Sequence, residues 1–245
     1  MTVPLILQKE KGRYVLAPFG KFGVEAFFTA KPLDLAFESR GRRLALRQAG
    51  IDAGKLVCPC QIHGTRVRIA GKRDRGAGVS GRKTALQETD ALVTSEKEVA
   101  LSVLTADCLP VFLVDPEKRV IAIAHAGWRG LQGRILSRVL GVMAASYGSC
   151  PGDIVAGFGP AIRSCCYEVG EEFLSFFPGA ARRQDRGIFM DLALGARMEL
   201  EAEGVPAQRI LDSGICTCCR ADEFHSYRQS GPAAGRNISV LRLLV

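Results

Sequence analysis

The 245-residue chain is poor in histidine (3) and methionine (4), has a single tryptophan, and carries only 7% aromatic residues. It also lacks internal repeats, low-complexity tracts and Pro- or Ser-rich linkers. Each shortage excludes something. Three histidines cannot fill a blue copper site together with a trinuclear cluster, since the blue site alone takes two His and a Cys. No apolar run approaches the 18 or so residues that span a bilayer. The missing repeats exclude solenoids and propellers. With 47% hydrophobic and 24% charged residues the chain is not wholly disordered, collagenous or coiled-coil. At this length about 70% of the extended chain's surface can be buried, so a core can form without disulfide or metal staples.

Charge and cysteine are plentiful. Lys and Arg number 33 against 25 Asp and Glu, a net charge of +8. Arg40, Arg42, Arg43 and Arg47 cluster in one helical stretch, and Arg66, Arg68, Lys72, Arg73, Arg75, Arg82 and Lys83 follow. Such clustering suits an anionic ligand. There is no aromatic-interleaved strand motif, zinc-finger spacing or recognition helix, so a solvated basic face is favoured over a nucleic-acid partner. The first residues, MTVPLILQKEKGR, show no basic leader and no small-residue cleavage site. We therefore expect a cytoplasmic protein whose nine cysteines are reduced thiols or metal ligands.

The hydrophobic pattern predicts a helix over 37–49, strands over 55–60 and 65–70 around a QIHG turn, and a solvent-exposed Gly-rich loop over 71–83. ALVT, VALSVLT, PVFLVD and VIAIAHA then read as strands buried on both faces, together forming a core sheet. A helix over 128–147, a strand over 153–159, helices over 167–177 and 191–203, and strands near 209–212 and 237–244 complete the reading. One mixed α+β domain spanning 1–245 is the expectation.

Two of the three histidines, His63 in QIHG and His125 in HAGWRG, end predicted strands, and Asp107 and Cys108 of TADCLP lie between them. Two imidazoles and a thiolate make a zinc site with its fourth position open, the catalytic pattern. The same residues also read as a Cys108–His125 nucleophile pair. Asp107 is either a proton relay or a group that orients a histidine ligand. Arg129, at the start of the helix after HAGW, suits an anion cradle. Trp128 suits stacking on a flat ligand, against the more usual alternative of a core residue. Gly159, Arg163 and Tyr167 are candidates to border the pocket. Cys216 and Cys219 have CxxC spacing, consistent with redox chemistry, a second metal or plain burial, and burial is favoured for Cys165 and Cys166. His225 is read as structural.

In order, QIHG, TADCLPV, HAGWRG, GPAIRSCCYEVG, the later CT, FHSYR and a final GR before a strand resemble the YfiH-type family, known as laccase-domain or polyphenol oxidase proteins. The match runs from about Cys60 to the C-terminus. The resemblance implies a single-domain α/β sandwich, likened to cysteine hydrolases, binding zinc through His63, Cys108 and His125. It further implies phosphorolysis of adenosine, inosine and methylthioadenosine with inorganic phosphate, and deamination of adenosine. In that chemistry a metal-activated water attacks C6 and Asp107 relays the proton, so Asp107, Cys108 and His125 are the expected catalytic residues. Gln61 of QIHG and Arg40 of FESRGRRLALRQAG are the further substrate- or phosphate-binding positions; Ser39 stands where the family usually has asparagine. The competing activities are a Cys–His hydrolase cleaving an amide, as in cell-wall precursor editing, and copper-dependent polyphenol oxidation. Copper can replace zinc at the same three ligands.

Overall fold

In the computed structural model, which describes residues 3–10 and 12–244, two β-sheets lie face to face and each carries helix on its outer side. Met1, Thr2, Lys11 and Val245 lie outside the described residues, and with them part of the segment read for an export leader. No helix among the described residues is long and apolar enough to cross a membrane.

The seven-stranded sheet has the order Val3–Pro4, Ile210–Asp212, Val155–Phe158, Leu109–Asp115, Val120–Ala126, Ala91–Thr94, Val67–Ile69. The six-stranded sheet has the order Leu7–Glu10, Arg13–Leu16, Val24–Thr29, Asn237–Leu243, Ala100–Thr105, Leu56–Val57. Glu168–Val169, Gly187–Met190 and Ala181–Gln184 make a third, small sheet.

Alternation along the central strands explains the layers. Phe112, Val114, Ile121 and Ile123 point between the two large sheets, where they meet Leu16, Phe28, Val103 and Leu241. Leu109, Val111, Leu113, Ala122 and Ala124 point the other way, onto Ile135, Val139 and Met143 of the helix Ile135–Tyr147 and Leu200 of the helix Leu192–Ala202. Both faces are buried, as their unbroken apolar runs require. Beyond the six-stranded sheet, Leu46 of the helix Arg42–Gln48 packs on Phe27, Ile238 and Val240.

Several expectations are corrected by this arrangement. The apolar strands do not form one core sheet: Ala100–Thr105 pairs in the six-stranded sheet, while Ala91–Thr94, Leu109–Asp115 and Val120–Ala126 pair in the seven-stranded one. The helix expected over 37–49 is only Arg42–Gln48. The helix expected over 128–147 is two, Trp128–Gln132 and Ile135–Tyr147, broken at Gly133 and at Arg134, whose φ is 60°. A Cβ at Gly133 would stand 2.6 Å from Thr65 Cγ2, so this close approach requires glycine. The stretch 167–177 divides into the strand Glu168–Val169 and the helix Glu172–Phe176. The loop over 71–83 is folded, not free in solvent: Cys58 N donates to Ala77 O, Gly78 N to Thr84 O, and Val79 is buried.

The candidate active site

At one end of the two large sheets the strands Val120–Ala126 and Leu109–Asp115 bring His125 and Cys108 to neighbouring positions, with His125 paired to Pro110. His63 arrives from the loop before Val67–Ile69. The three ligating atoms of His63, Cys108 and His125 all lie within 4.8 Å of one another. The two imidazoles meet edge to face, with ring centroids 4.8 Å apart. Gly127 allows this approach, since a Cβ there would stand 3.0 Å from Cys108 Sγ and 3.3 Å from His63 Cδ2.

The group that organises the cluster is Asp90, at the start of the strand Ala91–Thr94 and fully buried. Its Oδ1 lies 2.9 Å from His125 Nδ1, so this imidazole turns its other nitrogen to the cluster. The same carboxylate accepts the backbone N–H groups of Ile62, His63 and Gly64 at 3.2, 3.0 and 2.9 Å. These bonds hold His63 at a φ of 60°, a conformation costly for a residue with a side chain. Burial opposes the Asp90 charge, yet His125 and the N–H groups hold its pKa below the ordinary value.

Electrostatics couple the cluster. Burial would raise the Cys108 thiol, but His125 and His63 bring it down to about 6. Burial likewise disfavours the charged His125, but Cys108 and Asp90 raise it to about 9. The two opposite shifts favour a thiolate beside an imidazolium. Two nitrogens and a sulfur this close also make a donor set that would fit zinc.

Asp107 stands beside this pair at a φ of 91°. Thr217 Oγ1 donates to its Oδ1 and the backbone N–H of Arg228 to its Oδ2, both at 2.6 Å. The histidine-orienting position is held by Asp90. Nothing in the sequence reading pointed to Asp90; the available signal was an acidic residue directly before a buried apolar run.

A cavity of about 610 Å³ opens over the cluster, lined by Gln61, Thr105, Trp128, Tyr167, Tyr227 and the arginines Arg82, Arg228 and Arg236 among others. Arg228 donates to the carbonyls of Cys166 and Glu168, and Arg236 to those of Ala234 and Gly235; neither is ion-paired among the described residues. Thr105 Oγ1 is buried without a hydrogen-bond partner among the described residues. Burial pushes the Tyr167 phenol up to about 12, with the Cys108 charge adding to it.

The other expected positions fall variously. Gln61 lines the cavity, but its amide is engaged twice by the Leu104 backbone, at 2.7 and 2.9 Å. Arg129 is exposed and lies over the Trp128 ring at 4.3 Å, outside the cavity lining. Trp128 lines the cavity and packs against Phe173 as well, with ring centroids 5.2 Å apart. Arg40 is exposed and outside the lining, whereas Arg42 is buried and hydrogen-bonded to Gly78 O at 3.1 Å. Arg163 grips Asp212 with both terminal nitrogens, at 2.9 and 2.5 Å. His225 bonds Leu33 O at 3.1 Å, away from the cluster. Arg228 and Arg236 close the FHSYR and GR motifs and Arg82 belongs to the second basic cluster, but neither motif nor cluster marked them as cavity residues.

A family model described as multi-copper polyphenol oxidoreductase laccase matches residues 37–244. The chain belongs to this laccase-domain family. Among relatives of the laccase-domain chain is "Adenosine deaminase RL5" from an unknown prokaryotic organism, 37% identical over 201 residues, or 78% of this chain and 76% of the relative. "Purine nucleoside phosphorylase YlmD" of Geobacillus stearothermophilus is 34% identical over 196 residues, covering 76% of this chain and 72% of the relative. The crystal structure of YlmD from Geobacillus stearothermophilus superposes with a TM-score of 0.90 at 30% identity, covering 99% of this chain and 100% of that one. The hypothetical protein YfiH of Bacillus licheniformis gives 0.89 at 27% identity, with 97% and 98% covered. These neighbours share the mixed α+β architecture and lend no support to the expected likeness to a cysteine hydrolase fold. Two histidines at the cluster are too few for the multi-copper centre in the family's description.

Proposed function

We propose that the chain is a cytoplasmic zinc-dependent purine nucleoside phosphorylase, acting on adenosine, inosine and methylthioadenosine with inorganic phosphate, and that the same site deaminates adenosine. The observation that carries this reading is the His63–Cys108–His125 cluster opening onto a cavity with three arginines in its wall. The relatives named for purine nucleoside phosphorolysis and adenosine deamination support it.

When bound by these three residues, zinc supplies a Lewis acid that polarises a reacting oxygen or nitrogen. In phosphorolysis a phosphate oxygen bonds to C1′ of the ribose as the C1′–N9 bond breaks, and the base leaves with the electron pair and takes up a proton. Arg228 and Arg236 provide the positive charge that holds phosphate in the cavity, while the Arg82 charge is met by Glu38 at 3.1 Å. In deamination a water oxygen adds at C6 and ammonia leaves. Each Asp107 oxygen carries one hydrogen bond and keeps a second lone pair, so the carboxylate can take the water's proton and return it to the leaving amine.

One observation favours a second reading. Asp90, His125 and Cys108 form a row in which a carboxylate orients an imidazole beside a thiolate, as in Cys–His hydrolases. Metal analysis of the purified protein, with chromatography of adenosine incubated with and without phosphate, separates the two. About one zinc ion at this cluster, adenine formed only with phosphate, and inosine formed without it support the proposal. Metal-free protein that leaves adenosine untouched and cleaves an amide establishes the hydrolase instead.

A further inference from the structure

Four of the remaining cysteines meet behind the cavity. Cys165 and Cys166 follow the turn after Val155–Phe158, and Cys216 and Cys219 come from the segment after Ile210–Asp212. The two segments are stitched together by backbone bonds from Ala161 N to Ile215 O and from Thr217 N to Ala161 O. Within this frame the four sulfurs all lie within 4.8 Å of one another. Cys219 Sγ is 3.4 Å from Cys165 Sγ and 3.3 Å from Cys166 Sγ.

Four thiolates around one zinc ion at about 2.3 Å stand about 3.8 Å apart along each edge of the tetrahedron. The two spacings from Cys219 fall just below that value, and the remaining ones stay within 4.8 Å. They are too short for the sulfurs to surround a multinuclear cluster, and Cys219 stands as close to one of the paired cysteines as to the other, which a single disulfide would not require.

We propose that Cys165, Cys166, Cys216 and Cys219 form a second, closed metal site that holds one zinc ion through four thiolates. It differs from the His63–Cys108–His125 cluster in leaving no ligand position open, so its role is structural. What it fixes is the rear wall of the cavity. Thr217, between two of the ligands, donates to Asp107, and Tyr167, next to Cys166, lines the cavity. Arg228 joins the same region through the Cys166 carbonyl at 3.1 Å.

The test is cobalt titration of the metal-free Cys108→Ser variant, which removes the only sulfur of the other cluster. The proposal expects a tightly bound equivalent of Co²⁺ with a tetrahedral visible spectrum and strong thiolate charge transfer. It also expects Cys165, Cys166, Cys216 and Cys219 to resist iodoacetamide when loaded and to be modified after chelation, as read by peptide mass spectrometry. Wild-type protein then binds a second equivalent, and Cys216→Ser binds one fewer than wild type, which keeps the test decisive if Cys108→Ser does not fold. Two results overturn the proposal: absence of sulfur-to-cobalt charge transfer in Cys108→Ser, or a disulfide from Cys219 to Cys165 or Cys166 in protein purified without reductant. None of these readouts uses purine turnover, so they stand or fall apart from the proposed activity.

Discussion

Asp90 Oδ1 accepts a hydrogen bond from His125 Nδ1 at 2.9 Å, while the same carboxylate receives the backbone N–H groups of Ile62, His63 and Gly64. One buried side chain thus sets both the ring of one candidate ligand and the loop carrying another. Asp90→Asn replaces a carboxylate with an amide that cannot accept every one of these bonds. The expected result is a loss of zinc affinity of about 10- to 100-fold, measured by chelator competition. Unchanged affinity would show that His125 needs no such partner.

Asp107 holds a φ of 91°, which asparagine tolerates better than most residues. Asp107→Asn is therefore expected to fold and to keep zinc, yet to lose deamination by about 100-fold or more, as general acid–base roles imply. Comparing inosine formation with phosphorolysis of inosine isolates the proton step. An equal, small drop in both reactions would assign Asp107 to anchoring Thr217 and the Arg228 backbone.

Gly127 is close-packed against the cluster, and Gly127→Ala puts a methyl 3.0 Å from Cys108 Sγ. The expected outcome is weaker metal retention with a native circular dichroism spectrum, because Gly127 has ordinary backbone angles and only the contact is disturbed. Wild-type metal content in this variant would mean the ligands are looser than the structure places them.

In chelator-stripped protein the Cys108 thiol, lowered to about 6, should become reactive far below the pH at which a free cysteine of pKa about 8.5 does so. Because the thiolate is the nucleophile, alkylation rises with pH and reaches half its plateau near pH 6. Zinc should suppress it across the range. A midpoint near that of free cysteine would show that His125 and His63 do not stabilise the thiolate.

Arg228 lines the cavity and Arg40 does not. Arg228→Gln should raise KM for phosphate by about 10-fold or more, the scale of one charge-assisted contact, while Arg40→Ala should leave it within about 2-fold. The reverse pattern would move the phosphate to the helix Arg42–Gln48.

The approach of His63, Cys108 and His125 was legible in the sequence through the ordered QIHG, TADC and HAGWRG motifs, since separations of 45 and 17 residues alone say little. Asp90 was not, since one of 25 acidic residues before an apolar strand carries no distinguishing spacing until the strands are paired. Arg228 and Arg236 stand in the FHSYR and GR motifs, but their reach into the cavity is a tertiary relationship that the motifs alone do not encode. The same holds for the fold. Apolar runs marked the central strands, but dividing them between two sheets depends on long-range pairing such as Asn237 with Thr105. Gly133 interrupts an otherwise helical pattern because Thr65 packs on it, and Thr65 is 68 residues away in sequence.

The central claim, that one metal cluster of His63, Cys108 and His125 runs purine chemistry, is tested most directly by Cys108→Ala with zinc content and adenosine turnover measured on the same sample. The account predicts that zinc at this cluster and turnover, with phosphate and without it, are lost together. Full turnover in a variant that no longer holds zinc there would contradict it.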